Sequence, residues 1–341
     1  MGCLRSDTAL QFDKEDDPMN TGSIPGLSRS VSRLFFGTAI PPVSTDGAAA
    51  PDLLDSVLAA GVNAFDCARS YGLAENVLGK WIESRGCRDR VVILTKCGDI
   101  RDGIVKVDRQ VILEQSAQSL ESLRTDSIDL YLLHRDDPET PLEEIIDTLN
   151  ELRESGKIKL FGVSNWTHHR IEAANRYAAS HGLAPFSVSS PNYGLALQMR
   201  DLWGGGCVTL TGPENSEARA WYTSSQMPVI SYSGMARGFF SGRFKAGDYE
   251  GAKQILDAFA QKGYLYPENM LRLRKAELLA EKYGCSVPEI NIRYIFSSGM
   301  NLFAIVSTTS ADRLKMDLCA ASEPLSPEDV AFLESDAPAS L

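Results

Sequence analysis

No apolar run in this 341-residue chain approaches the roughly 18 residues that a membrane-crossing helix needs, so no membrane span is expected. The opening residues, MGCLRS, lack the apolar core of a secretory signal. Clusters of positive charge are missing too. The 34 Lys and Arg are scattered among 45 Asp and Glu, and the net charge of −11 repels phosphate backbones. Nucleic acid is therefore not an expected partner, and a small molecule is. Cys3, Cys67, Cys87, Cys97, Cys207, Cys285 and Cys319 form no C-x-x-C pair and keep no Cys/His ligand spacing. An odd count without pairs predicts free thiols in a reducing, cytoplasmic setting, with neither a disulfide framework nor a metal site. Internal repeats and an interdomain linker are absent as well. MGCLRS does fit the M-G-x-x-x-[ST] myristoylation pattern, with Cys3 available for a second acyl chain. The default expectation is a disordered polar tail over 1–22 and one domain over 23–335.

What the chain does contain is a regular alternation. Short apolar runs recur as SRLFFGTA, VNAFD, VVILTK, IDLYLLH, KLFGVSN, FSVSS, PVISYS and FAIVS. Each is followed by a loop and a helix-like stretch, such as PDLLDSVLAAG or PLEEIIDTLNELRESGK, with proline at the start and glycine at the end. Strands that are apolar throughout are buried on both faces, as in a parallel sheet covered by helices. Eight such units predict an α/β fold, a (β/α)8 TIM barrel, with a doubly wound open sheet as the competing arrangement. Two connections, 191–213 and 239–267, are long and follow strands. In a barrel they would rise over the C-terminal mouth as lids.

The ends of those strands carry the chemistry. The second run ends in Asp66, the third in Lys96 and the fourth in His134, while the fifth and seventh lead into Ser164–Asn165 and Tyr232–Ser233. Tyr71 follows Asp66 by five residues in NAFDCARSYGLAEN. Taken singly, each has a structural explanation: Lys96 snorkels, Asn165 caps a helix, Asp66 caps a turn. Jointly they form one set, because the ends of barrel strands converge on one mouth. A lysine closing a buried strand needs an acid, and Asp66 is the natural partner. A nearby ammonium should favour the phenolate of Tyr71 and lower its pKa, fitting Tyr71 as a general acid. Neutral His134 would donate a hydrogen bond to a substrate oxygen. The set suits protonation of a carbonyl oxygen as hydride reaches carbon. It contains no nucleophile. HRDD after the fourth strand lacks the other kinase motifs, and paired carboxylates for a glycosidase are missing.

The motifs FDCARSYG, AEN, ILTK, IDLYLLH, GVSNW, SSPNY and SYSGMARGFFSG, in this order, resemble the aldo-keto reductase family over about residues 30 to 320. The resemblance implies a (β/α)8 barrel that reduces aldehydes and ketones with NAD(P)H, with Asp66, Tyr71, Lys96 and His134 as its tetrad. It also implies cofactor contacts. Ser164 and Asn165 would hold the nicotinamide carboxamide and Tyr232 would stack on the ring. Ser233, Gly234, Met235, Arg237 and Gly238 would follow the pyrophosphate, and Thr38, Asp66, Ser307, Thr308 and Thr309 would line the rest. Ser190 replaces a glutamine usual in the sixth strand. Met316 and Asp317 replace a Glu-Asn pair at the adenosine end, where Arg313 keeps a cation suited to a 2′-phosphate. NADP(H) is therefore expected ahead of NAD(H). Arg69 and Trp166 join Tyr71 and His134 as expected substrate contacts, and the RDDP rim suggests a polar, sugar-like carbonyl compound. Two other readings stay open: a cofactor-binding regulatory or sensor subunit, and a redox-neutral sugar-modifying enzyme that retains its cofactor.

Overall fold

Every one of the eight apolar runs forms a strand in the computed structural model, which describes residues 21–100 and 105–337. Two short strands, β1 (Thr21–Gly22) and β2 (Val31–Ser32), make an antiparallel hairpin. After them come β3 (Leu34–Gly37), β4 (Ala64–Asp66), β5 (Val92–Cys97) and β6 (Ile128–Leu133), then β7 (Ile158–Ser164), β8 (Val188–Ser190), β9 (Val229–Ser231) and β10 (Leu302–Val306). These eight are all parallel and close on themselves, with β10 beside both β9 and β3. The open-sheet alternative is thereby excluded, and the TIM barrel stands.

The strands read as continuously apolar because both faces are buried in different cores. Phe35, Ala64, Val92, Leu94, Leu130, Leu132, Leu160, Val188, Ile230 and Phe303 fill the barrel interior. Their chain neighbours, among them Phe36, Phe65, Ile93, Tyr131, Leu133 and Phe161, pack outward under the helices. Side chains alternate with a period of two, so the inward set Ala64–Asp66, Val92–Leu94–Lys96 and Leu130–Leu132–His134 ends in three polar groups at one end of the barrel. A fully buried Leu, Ile, Val or Phe stabilises by roughly 1.5–3 kcal/mol, so this interior stack outweighs the several kcal/mol that desolvating one ion pair costs. Where β7 meets β8 the wall has no room for a side chain. A Cβ on Gly162 would lie 2.2 Å from the Val188 carbonyl oxygen.

The hairpin closes the opposite, N-terminal end. Its Ile24 and Val31 join the interior core. Arg29 donates to the Val91 carbonyl at 2.9 Å, Ser32 N–H to Asn63 Oδ1 at 2.9 Å, and Arg33 to Asn301 Oδ1 at 3.0 Å, each acceptor standing just before a strand. Thr21 and Gly22, expected within the polar tail over 1–22, instead pair with Val31–Ser32, and residues 1–20 lie outside the described residues. The MGCLRS pattern lies outside the described residues.

The helices follow the proline and glycine punctuation, as at Ala50–Ala59 and Leu142–Glu154. The second long connection is not one open loop. It holds two short helices, Tyr249–Ile255 and Ala258–Tyr264, each started by an aspartate side chain, Asp248 or Asp257, that accepts from a backbone N–H three residues on. Among the described residues no helix is long and apolar enough to cross a membrane.

Candidate active site

Asp66, Lys96 and His134 reach the mouth from three neighbouring strands, β4, β5 and the end of β6. Lys96 Nζ donates to Asp66 Oδ1, to the Cys67 carbonyl at 2.9 Å and to the Tyr71 hydroxyl at 3.4 Å. Asp66 and Lys96 are each only 2% exposed. The turn that follows β4 carries Tyr71 back over them, so that Nζ also lies 4.9 Å from the centre of its ring. The His134 ring meets Tyr71 edge-on, centroids 5.8 Å apart. All four expected tetrad residues are thus in one place.

Their electrostatics differ from the sequence expectation at one point. Burial opposes charge on Lys96, but Asp66 and then Tyr71 outweigh it and hold its pKa above the ordinary lysine value. Burial pushes Tyr71 up to about 12, and Lys96 only partly offsets this. The lowered tyrosine pKa expected from a nearby ammonium is therefore wrong for this structure, because burial outweighs the pull of Lys96 and the Asp66 charge adds to the rise. Burial, with Lys96 and Arg135, lowers His134 to about 3 against the pull of Asp99. The imidazole is neutral at physiological pH. Its Nδ1 is buried without a hydrogen bond and lies 3.6 Å from Asp99 Oδ2. Asp99 escaped the sequence reading because it stands beyond the strand, in the loop after Lys96. Cys67 and Cys97 are wall packing as expected, buried thiols pushed up to about 12.

The neighbouring polar residues fall into two groups. Ser164 Oγ donates to the Ser190 carbonyl at 2.8 Å, while Asn165 donates to the His134 carbonyl and to Ser164 Oγ, both at 3.1 Å. Asn165 Oδ1 accepts from the Tyr232 hydroxyl at 2.7 Å and from Val208 N–H at 3.2 Å. Both donors and both acceptor sites of the Asn165 amide are thus in use. Ser190 Oγ, by contrast, is buried with no partner. Beyond Tyr232 the backbone takes positive φ at Ser233, Ala236, Arg237 and Gly238. Three of these are not glycine, at a cost of order 1 kcal/mol each, and such turns aim successive N–H groups at an anion. Asn291 Nδ2, donating to the Gly234 carbonyl at 3.0 Å and to Met235 Sδ, holds the turn down. Thr38 Oγ1 donates to the Asp66 carbonyl at 2.8 Å, and Ser307 Oγ to that of Gly37 at 3.0 Å. Thr308 Oγ1 accepts from Ser310 N–H at 3.1 Å, and half-buried Thr308 and exposed Thr309 lead into the helix Ala311–Ala321.

Several expected contacts are elsewhere. Trp166 is fully buried in the outer core, donating to the Arg135 carbonyl at 3.2 Å, and does not face the mouth. The reason is local: Asn165 has φ of 62°, which turns the next side chain into the wall. Arg69 pairs with Glu75 at 2.5 Å and reaches Ser122 and Gln118 on the outer helix Arg109–Leu123. Glu75 in turn accepts from Thr95, whose side chain faces away from the barrel interior, so Arg69 serves the outer wall. Asp136 pairs with Arg170 at 2.6 Å, Asp137 accepts from Thr140 at 2.7 Å, and Arg135 reaches Cys207 Sγ at 3.2 Å. The RDDP rim is thereby engaged with the protein.

Arg237 is engaged too. It pairs with Asp257, and its guanidinium lies 4.8 Å from the Trp203 ring centre and 5.5 Å from that of Phe259, two rings that stack at 5.2 Å. This latch joins the two long connections across the mouth. At the far end Arg313 Nε lies 3.3 Å from Asp317 Oδ1, one helical turn away. A cavity of about 660 Å³ beside it is lined by Lys245 and Arg274, which pair with Glu277 there, and by Glu281, Arg313 and Met316.

Comparison with known proteins agrees with this geometry. The model of the aldo/keto reductase family matches residues 33–336. A probable aryl-alcohol dehydrogenase of Saccharomyces cerevisiae is 30% identical over 318 residues, 84% of this chain and 87% of its own. An aldo-keto reductase of Bacillus subtilis is 29% identical, covering 81% of each chain. An NADP(+) aryl-alcohol dehydrogenase of Phanerodontia chrysosporium is 28% identical over 84% of this chain and 75% of its own. With a barrel closed over the matched region and the four polar groups gathered at its mouth, the chain belongs to the aldo/keto reductase family and is an NAD(P)H-dependent oxidoreductase.

Proposed function

We propose that the protein interconverts an aldehyde or ketone and its alcohol, with Tyr71 as the acid that protonates the carbonyl oxygen. The observation that carries this reading is the buried Lys96, which donates at once to Asp66 and to Tyr71. Tyr71 keeps its proton through the physiological range and releases it only to a strong base, such as the alkoxide-like oxygen that develops when hydride reaches carbon. Lys96 then stabilises the phenolate left behind, and Asp66 keeps Lys96 charged and in place. Neutral His134 donates a hydrogen bond to the same oxygen and orients it. The bound nicotinamide supplies the hydride.

The residues present fit that cofactor. Ser190 Oγ is a buried, unpartnered group where a carboxamide needs a partner, so Ser190 takes the contact and Asn165 holds Tyr232 in place. The positive-φ turn at 233–238 would receive the pyrophosphate. NADP(H) is preferred to NAD(H) on the strength of Arg313 at the edge of the cavity of about 660 Å³, since Lys245 and Arg274 in its lining pair with Glu277. For the substrate, an aromatic aldehyde or alcohol replaces the sugar-like compound. Arg69 and the RDDP side chains are bound up elsewhere, and relatives carry the name aryl-alcohol dehydrogenase.

The test is oxidation of NADPH against panels of aromatic aldehydes and sugars. Aromatic aldehydes are expected to give the higher kcat/KM. Tyr71→Phe is expected to lower kcat by about 10²–10⁴-fold while NADPH binding persists. Full activity of Tyr71→Phe would overturn the role of Tyr71, and cofactor binding without turnover on any carbonyl would favour the regulatory reading.

A further inference from the structure

Outside the barrel wall, on the far side of Trp166, lies a second group of titratable side chains that the proposed reaction does not use. His168 and His169 open the helix His168–Ser180, and Glu217 lies in the first turn of the helix Ser216–Ser225. Both His168 Nε2 and His169 Nε2 stand 3.7 Å from Glu217 Oε1, and the three atoms lie within 4.8 Å of one another. The two rings are 3.9 Å apart, and His168 is set in place by Trp221 at 5.9 Å.

At 3.7 Å the carboxylate is beyond ordinary hydrogen-bond reach of either imidazole. It is only a few tenths of an ångström beyond the spacing of about 3.3–3.5 Å between ligands of a tetrahedral zinc ion, whose bonds are about 2.0–2.2 Å. Adjacent residues at a helix start normally point apart, yet both imidazoles turn toward one oxygen on another helix. The same residues, with Thr209, Glu214 and Asn215, line a cavity of about 170 Å³, which leaves room for a water or for the Glu214 carboxylate as a fourth ligand. We propose that His168, His169 and Glu217 form a site for a divalent transition metal, zinc by preference. Two imidazoles and one carboxylate suit Zn²⁺, Co²⁺ or Ni²⁺ and do not suit the oxygen-only preference of Mg²⁺ or Ca²⁺. The positive ends of the two helices work against a cation, and the Glu217 charge offsets them.

The site would act as a brace. Val208, Thr209 and Leu210 form part of the cavity wall, and Val208 N–H holds Asn165 Oδ1 in the neighbouring site. A metal joining the two helix starts would fix that stretch of the first lid. Adjacent histidines and a glutamate on a distant helix have no ligand spacing in sequence, which is why the sequence reading set no metal here.

The experiment titrates the full, tag-free chain with Zn²⁺, by calorimetry and by thermal melting, and with Co²⁺ by visible absorption. One saturable Zn²⁺ per chain, a raised Tm and a tetrahedral Co²⁺ spectrum are expected. His169→Ala and Glu217→Gln alter exposed side chains, so the metal-free Tm and NADPH binding should not move. Each should weaken Zn²⁺ binding roughly tenfold or more. Absence of saturable binding would overturn the site. So would a stoichiometry and affinity unchanged in the double variant, which would place the metal on the thiols.

Discussion

Two cation–carboxylate pairs, one on strands β4 and β5 and one on the helix after β10, are built in different ways. Lys96 and Asp66 come from neighbouring strands and are each 3% exposed at the side chain, so barrel register fixes them and water cannot replace either partner. Arg313 and Asp317 are one turn apart on a single helix, with the arginine 32% exposed. The first pair cannot relax without disturbing the barrel. The second can be retuned by a change on one helix, and under the proposed cofactor assignment that is where preference would be adjusted.

The largest expected effect lies in the strand pair. Lys96→Met leaves Asp66 buried and alone, and should cost about 3–5 kcal/mol of stability, read from chemical denaturation. Lys96→Met with Asp66→Asn should recover most of that stability but none of the activity. Arg313→Met, the matching change in the helix pair, should cost less than about 1 kcal/mol. Equal losses from the two single changes would erase the distinction.

The helix pair should show itself in pH dependence instead. Burial raises the Asp317 carboxyl to about 6 against the pull of Arg313, above its ordinary value of about 3.9 in an unfolded chain. The folded chain therefore takes up this proton first as the pH falls through about 6, and this group adds stability between about 6 and 4. Protonation also removes the counter-charge from Arg313. Preference for NADPH over NADH should increase below pH 6, and Asp317→Asn should raise it about tenfold above that pH and little below it, flattening the pH dependence. Fluorescence titration of both cofactors, above and below that pH, measures it. The smallest effect belongs to the latch. Trp203→Ala removes one of the two stacked rings beside Arg237, a contact worth roughly 0.5–1 kcal/mol, and should speed NADPH release about two- to fivefold in stopped flow.

The same contrast governs what could be read from the sequence. Period-two alternation in apolar strands carries Asp66, Lys96 and His134 to one end, so those three residues are legible once the barrel is assumed. Tyr71 follows from the length of the turn after β4. What depends on a single backbone torsion is not legible: Trp166 looks like a mouth residue until the positive φ of Asn165 sends it into the wall. Nor is competition among partners. Arg69 beside Tyr71 reads as a substrate contact, but the buried Glu75 six residues on takes it first. Arg237 is lost in the same way, to aromatic rings about 20 and 30 residues distant in sequence that meet only when both connections fold over the mouth. The raised pKa of Tyr71 comes first from its burial, which outweighs Lys96, and burial is not read from the sequence.

The hairpin of Thr21–Gly22 and Val31–Ser32 has a consequence for traffic. With Ile24 and Val31 capping one end of an interior that side chains already fill, the barrel offers small molecules only its C-terminal mouth. Every small molecule must enter and leave through the same gate. In the proposed arrangement, with the nicotinamide on Tyr232 and the carbonyl compound above it, last in is first out. Product inhibition should then be ordered, with the nucleotide binding before the carbonyl compound and departing after the alcohol, and the pace of the cycle set at the lids.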